Sequence, residues 1–262
     1  MPELPDVETF RRYLDATSLH RKIERAEVRD TGVLRKVSGR KFSSALRGRK
    51  FDSSERLGKY IFVKMDGEGC LMLHFGMTGF LKYYKNDGQE PPHTRILFRF
   101  SNGYNLAYDC QRKLGRVRLA DDMESIAEEK KLGVDAMDPE LDFSGFLEVL
   151  RDRRGMIKTA LMNQSAVAGI GNIYADEILF QAGVHPEREA GSISDEKMKR
   201  IFRVMRRVLK TAIDRKADPD NLPRGYIIPG REEGRSCPRC GGTVKKIKVN
   251  GRGTYLCPQC QG

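Results

Sequence analysis

Four cysteines close the chain as Cys237-Pro-Arg-Cys240 and Cys257-Pro-Gln-Cys260, two C-x2-C pairs separated by sixteen residues. Four thiolates at this spacing suit tetrahedral zinc, each pair supplying two sulfurs from one turn. Protein ligands would fill every position of such a site, so the metal would be structural rather than catalytic. A reactive dithiol or a disulfide pair is the other chemistry the spacing allows. The opposite end reads MPELPDVE. Removal of Met1 would leave Pro2 as a secondary amine with the Glu3 carboxylate beside it. An α-amino group titrates near pH 8, roughly, so a good fraction is neutral and nucleophilic at pH 7, unlike an ordinary lysine. On these eight residues alone the plainer reading is that the proline only marks a processing site.

Reactive termini need elements to hold them. Pro5 suits the first turn of a helix, and Val7, Phe10 and Leu14 then share one face, which predicts a short helix over 5–16. Asp6 and Glu8 fall near its positive end. From about 20 to 120 the pattern changes to short runs rich in aromatic and branched residues: KYIFVKM, CLMLHFG, GFLKYY, TRILFRF and YNLAYD. The turn clusters DGEG, NDGQEPP and SNG separate them, which predicts an antiparallel sandwich or barrel. Residues 133–142 read as a linker, and helices follow. MIKTALMN and GNIYADEILFQAG flank the loop QSAVAGIG. The stretch 194–216 places Met198, Ile201, Phe202, Met205, Val208, Leu209 and Ala212 on one stripe, with Ser194 as cap and an opposite face rich in Arg and Lys. Prolines and glycines make 217–235 an irregular loop. Between the cysteine pairs, VKKIKVNGRGTYL reads as a hairpin turning at Asn250-Gly251, with Arg252 at its tip.

The fold class expected is therefore α+β with two domains. Residues 1–130 would form an N-terminal antiparallel β-sandwich with a short N-terminal helix, and 131–142 a linker. A helical domain would follow over 143–235, and a zinc-finger hairpin over 236–262. The chain has 262 residues, 39% hydrophobic and 32% charged. No apolar run approaches a membrane span, and the acidic opening does not read as a secretory signal, so an intracellular protein is expected. The net charge of +12 implies a polyanion, either nucleic acid or an anionic membrane surface, or else a generally basic protein. The excess sits in the last third: Arg235–Gly262 holds six Lys/Arg and no acid, and Ser194–Lys216 nine against three. Within that cationic hairpin Arg252 is better read as a phosphate contact than as a solvated tip. Cys70 and Cys110 stand alone and read as inert buried thiols.

Taken in order, MPELPDVE, GKY (58–60), HFGMTG (74–79), RKLGRV (112–117), IKTALMNQ with AGIGNIYADEILFQAGVHP, and GRGTYLCPQCQ resemble the formamidopyrimidine-DNA glycosylase / endonuclease VIII family of base-excision repair enzymes. The likeness spans nearly the whole chain. It implies a β-sandwich joined to a helical domain that contains a helix–two-turn–helix and a zinc finger. It also implies a bifunctional DNA glycosylase/AP lyase acting on oxidised bases in double-stranded DNA, with one structural zinc and a single chain as the acting species. By this resemblance Pro2 is the nucleophile that forms a Schiff base at the sugar, and Glu3 the acid/base. Lys59 reaches the damaged nucleotide and its phosphate, and Arg252 belongs to both the catalytic and the DNA-binding set. Lys158, Gly171 and Asn172 are phosphate ligands around the loop, where a helix N-terminus favours an anion. His74 is allowed a phosphate contact. Met77, Arg112 and Leu114 fill the void left by an extruded base.

Three departures stand out. Asp6 replaces the family's usual glutamate. Leu114 replaces the phenylalanine typical of the bacterial branch and stacks less well. The segment 217–235 does not resemble the longer loop that caps 8-oxoguanine, so the resemblance does not carry 8-oxoguanine excision over, while ring-opened purines, hydantoins or oxidised pyrimidines stay open as substrates. Two rival readings remain. One is a non-catalytic damaged-DNA-binding zinc-finger protein. The other is an N-terminal-proline tautomerase acting on small keto acids, which the basic finger disfavours.

Overall fold

The computed structural model describes residues 1–151 and 153–262. Its chain divides into two compact units, one of Met1–Pro2 with Asp6–Lys130 and the other of Glu3–Pro5 with Lys131–Gly262. Helix α1 (Leu4–Ser18) is the element in which the change of unit occurs.

In the first unit α1 is followed by β1 (Ile23–Val28), α2 (Gly39–Leu46), β2 (Phe51–Leu57), β3 (Tyr60–Met65), β4 (Cys70–His74), β5 (Gly79–Tyr84), β6 (Thr94–Phe100), β7 (Asn105–Cys110), β8 (Arg116–Ala120) and α3 (Met123–Lys130). The strands form two four-stranded antiparallel sheets, ordered β1-β6-β7-β5 and β2-β3-β4-β8. Period-two alternation builds the core: Ile61, Val63, Leu71, Leu73 and Val117 from one sheet join Ile96, Phe98, Phe100, Leu106 and Tyr108 from the other. The alternate residues Phe62, Cys70 and Met72 pack on Ile126 of α3. Covering both faces explains why β3 and β4 read as continuous apolar runs. Val7 and Leu14 of α1 complete the first core. Glu8, on the polar side of the same helix, is ringed by Arg11, Arg12 and Arg56. Burial would raise its pKa, but the guanidinium hydrogen bonds and charges bring it down to about 2.

The second unit contains β9 (Val134–Asp135), α4 (Phe143–Arg151), α5 (Ile157–Leu161), β10 (Val167–Ala168), α6 (Asn172–Ala182), α7 (Asp195–Asp214), β11 (Lys245–Val249) and β12 (Arg252–Leu256). The expected linker 131–142 is built into this unit. β9 pairs in parallel with β10, and Ala136 and Leu141 are buried in the helical core. Its Asp and Pro content reflects tight turns, with the Asp135 and Asp138 carboxylates accepting from Met137 N and Glu140 N. Ser194 caps α7, which buries Met198, Ile201, Val204, Met205, Val208, Leu209, Ala212 and Ile213; Phe202 lies at the margin, half-buried. The segment 217–235 is not featureless. Leu222 and Tyr226 enter the helical core, and Ile227 packs with Phe180, Cys237, Val244 and Cys257 beneath the finger. β11 and β12 pair antiparallel with Val249 opposite Arg252, so Asn250 and Gly251 form the two-residue turn, both at positive φ. No helix among the described residues is long and apolar enough to cross a membrane.

Candidate nucleic-acid and lyase site

Each unit carries its own cluster. In the second, Glu3 is only 1% exposed. Its carboxylate accepts from Gly171 N at 2.9 Å, Ile173 N at 2.8 Å and Tyr174 N at 3.2 Å. These are the N–H groups left unpaired at the start of α6, where the helix dipole also favours an anion. Charge-assisted hydrogen bonds of this kind contribute about 1.5–3 kcal/mol each, which offsets burial of the carboxylate. Position 171 has to be glycine, because a Cβ there would lie 2.2 Å from Glu3 Cδ. Gly169, at φ +109°, makes a similar close approach: its carbonyl accepts from Leu4 N at 3.1 Å, and a Cβ would meet Leu4 Cδ1 at 2.5 Å. The two glycines of AGIG thus seat residues 3 and 4, and the Gly171 N–H, expected at a phosphate, is given to Glu3.

Lys158, expected as a phosphate ligand, has protein partners. It is 1% exposed, with Nζ 2.6 Å from Thr254 Oγ1 and 2.7 Å from Asp176 Oδ1. Asp176 Oδ2 also accepts from Arg231 Nη2 at 2.7 Å and Tyr255 N at 3.1 Å. Burial lowers the Lys158 pKa, and Asp176 opposes that shift. Asn172 Nδ2 donates to Gly253 O at 2.9 Å, and its buried Oδ1 has no protein partner among the described residues. Lys158 and Asn172 therefore fasten β12 alongside α6 and leave Arg252 exposed at the hairpin tip. Asp176 and Arg231 were not anticipated. Asp176 resembles any helical acid in sequence, and the partner that explains it lies 55 residues away.

The four cysteine Sγ atoms lie within 4.8 Å of one another, with Cys237–Cys260 at 3.8 Å and Cys240–Cys257 at 3.5 Å. Zinc–sulfur bonds of about 2.3 Å in a tetrahedron require sulfurs about 3.8 Å apart, so the set fits one zinc closed by four protein ligands.

In the first unit, Met77 and Leu114 are 40% and 41% exposed, rare values for large apolar side chains in this chain. Their loops touch through backbone: a Cβ on Gly76, at φ +59°, would fall 2.5 Å from Leu114 C. Arg112 N donates to Thr78 Oγ1 at 3.2 Å, tying the same two loops, and the Arg112 side chain is exposed. The three expected void-filling residues thus lie on adjoining turns. Lys59 is in the two-residue turn between β2 and β3 rather than in a strand, and is 9% exposed. His74 ends β4 and packs against Tyr60, the rings tilted by 31° with centroids 4.8 Å apart; burial, then the charges of Lys59, Arg116 and Lys130, pushes its pKa down to about 4. At neutral pH it is an uncharged imidazole, which contacts a phosphate only as an N–H donor. His74 and Leu114 line a groove of 340 Å³ with Tyr60, Arg35, Arg116 and Arg118. Arg116 and Arg118 were missed, although period two along β8 puts both on one face. Pro2 is half-buried.

Comparison with known proteins is consistent from end to end. Residues 1–117 match the formamidopyrimidine-DNA glycosylase N-terminal domain, 132–221 its H2TH domain and 236–262 the zinc finger found in FPG and IleRS. The formamidopyrimidine-DNA glycosylase of Moorella thermoacetica is 38% identical over 264 residues, covering 95% of each chain. That of Pelotomaculum thermopropionicum is 37% identical over 276 residues, covering 100% of this chain and 99% of its own. Among solved structures, the Lactococcus lactis formamido-pyrimidine DNA glycosylase non-covalently bound to AP-site-containing DNA superposes with a TM-score of 0.90 at 31% identity, over 99% of both chains. MutM in complex with carbocyclic 8-oxo-G-containing DNA gives the same TM-score, identity and coverage.

Proposed function

Since the chain belongs to the formamidopyrimidine-DNA glycosylase family, we propose that it excises oxidised bases from duplex DNA and cleaves the strand at the resulting abasic site. The observation that carries this is Glu3, the residue after Pro2, fixed by three backbone N–H groups at the start of α6. So costly an arrangement is unnecessary if residues 2 and 3 merely begin the fold.

With Met1 removed, the Pro2 nitrogen attacks the sugar C1′. The N–C1′ bond forms, and the glycosidic bond breaks with its electrons going to the departing base, which takes up a proton. Glu3 moves the proton at the sugar ring oxygen as the ring opens to an iminium ion. That cation acidifies the C2′ hydrogen. Its loss expels the 3′ phosphate, and a repeat of the elimination would expel the 5′ phosphate. Lys59, His74 and Arg252 hold the nucleotide's phosphates. Met77, Arg112 and Leu114 occupy the space left by the extruded base, which offsets an unstacking cost of roughly a few kcal/mol. Zinc keeps the hairpin folded and takes no part in the steps. Ring-opened purines, hydantoins and oxidised pyrimidines are the favoured lesions, because 217–235 is pinned down through Leu222, Tyr226 and Ile227. One chain supplies every residue required, acting in the compartment that holds DNA.

Borohydride added with an abasic duplex tests the reading. Covalent capture is expected, with mass spectrometry placing the sugar on the Pro2 nitrogen. No capture by chain lacking Met1 would favour the non-catalytic binder, and capture on any lysine would displace Pro2 from its role.

A further inference from the structure

A second cationic surface lies in the second unit, away from Asn172 and Arg252 of that unit. Lys197, Arg200, Arg203 and Arg207 share one face of α7 and, with Arg239 from the finger, line an open groove of 830 Å³. One acid, Glu196, is among the lining residues. None of the five cations is within ion-pairing distance of a carboxylate among the described residues. Five unneutralised cations facing one groove repel one another and call for an external polyanion.

Within the second unit the groove is separate from Asn172 and Arg252. α6 and β12 run side by side. Asn172 meets Gly253, Tyr255 N reaches Asp176, and a Cβ on Gly183 would stand 3.2 Å from Cys260 O. Asn172 and the Arg252 tip therefore mark one end of this pair, and the cysteine knuckles the other. The groove is at the knuckle end, where Arg239 donates to Phe180 O at 3.0 Å. The eleven residues of α6 set the two ends about 16 Å apart.

The chemistry of the lining narrows the partner. No aromatic side chain lines the groove, and Val204 is buried, so there is no stacking platform for single strands and no apolar anchor for a protein. Recognition there rests on charge alone. Four cations spread over about 15 Å of helix cover a length along which one DNA strand presents about five phosphates, at about 3.4 Å axial rise each. We propose that this face is a second, sequence-independent contact for the phosphate backbone of duplex DNA, able to hold another segment while the first site is occupied. Such a chain passes between segments without full release.

The test uses the full zinc-loaded chain and two arms. In the first, a borohydride-trapped complex is titrated with an undamaged labelled duplex. Binding is expected with a log–log salt slope of roughly −3 or steeper, about −0.9 for each phosphate neutralised. R200A/R203A/R207A should weaken that binding at least tenfold while its trapping yield equals that of the unaltered chain. Alanine on an exposed helix face favours the helix, so the variant is expected to fold. In the second arm, untrapped chain at low salt should bind two undamaged duplexes and the triple variant one. A trapped complex that takes no second duplex, a triple variant that binds as well as the unaltered chain, or tighter binding of polyglutamate than of duplex each overturns the proposal. Absence of trapping counts against the lyase reading, and the second arm then still decides the surface.

Discussion

Glu177→Gln probes the joint between α6 and the segment 217–235. The Glu177 carboxylate is fully buried, accepting from Ile228 N at 3.0 Å and Gln181 Nε2 at 2.8 Å. Burial raises its pKa from 4.5 to about 7, because these donors only partly replace lost water. A carboxyl raised in the folded state binds more protons folded than unfolded between those values. Stability is therefore greatest below the unfolded pKa and is lost as pH rises through about 7. The full effect is about 3 kcal/mol, of which about 2 kcal/mol falls between roughly pH 5.5 and 8. Glutamine cannot ionise, so E177Q lacks this loss while keeping an acceptor for Ile228 N. Urea unfolding of both proteins across that range, with zinc in excess, should show E177Q gaining on the unaltered chain as pH increases. A stability difference that stays flat with pH would refute the reasoning, whatever its mean value.

Asp176→Asn leaves the Lys158 ammonium buried without its anion and should cost about 3–5 kcal/mol of unfolding free energy, measured with urea. Adding Lys158→Met should recover most of that loss; a double variant no better than the single one would contradict the ion-pair account. Gly171→Ala drives a Cβ into Glu3 and should lower excision at least about 100-fold with zinc content and circular dichroism unchanged, so a near-normal rate would remove Glu3 from the chemistry. Arg252→Ala should weaken duplex binding and reduce the salt slope by about 0.9, and an unchanged slope would end its phosphate role.

The sequence by itself determined whatever is local or periodic. The four-cysteine spacing, the Asn250-Gly251 turn and the apolar stripe of α7 each need only neighbours within a few residues or one helical period. The short aromatic and branched runs from residue 59 to 109, divided by turn clusters, likewise announced a sandwich or barrel. Met77 entered through the resemblance alone, since a methionine is more often core, and its exposure belongs to the structure. Tertiary structure decided the rest. Asp135 and Ala136 looked like linker because two-residue strands leave no period, and only β10, more than thirty positions on, supplies their partner. Lys158 and Asn172 looked like ligands beside a glycine loop. Three-dimensional packing adds partners for them in Thr254, Asp176 and Gly253, since a buried cation requires an anion that no local pattern names. Glu3 shows both halves: the chain order set it next to Pro2, while its fixed geometry depends on N–H groups about 170 residues away, brought within reach only because glycine at 171 leaves room.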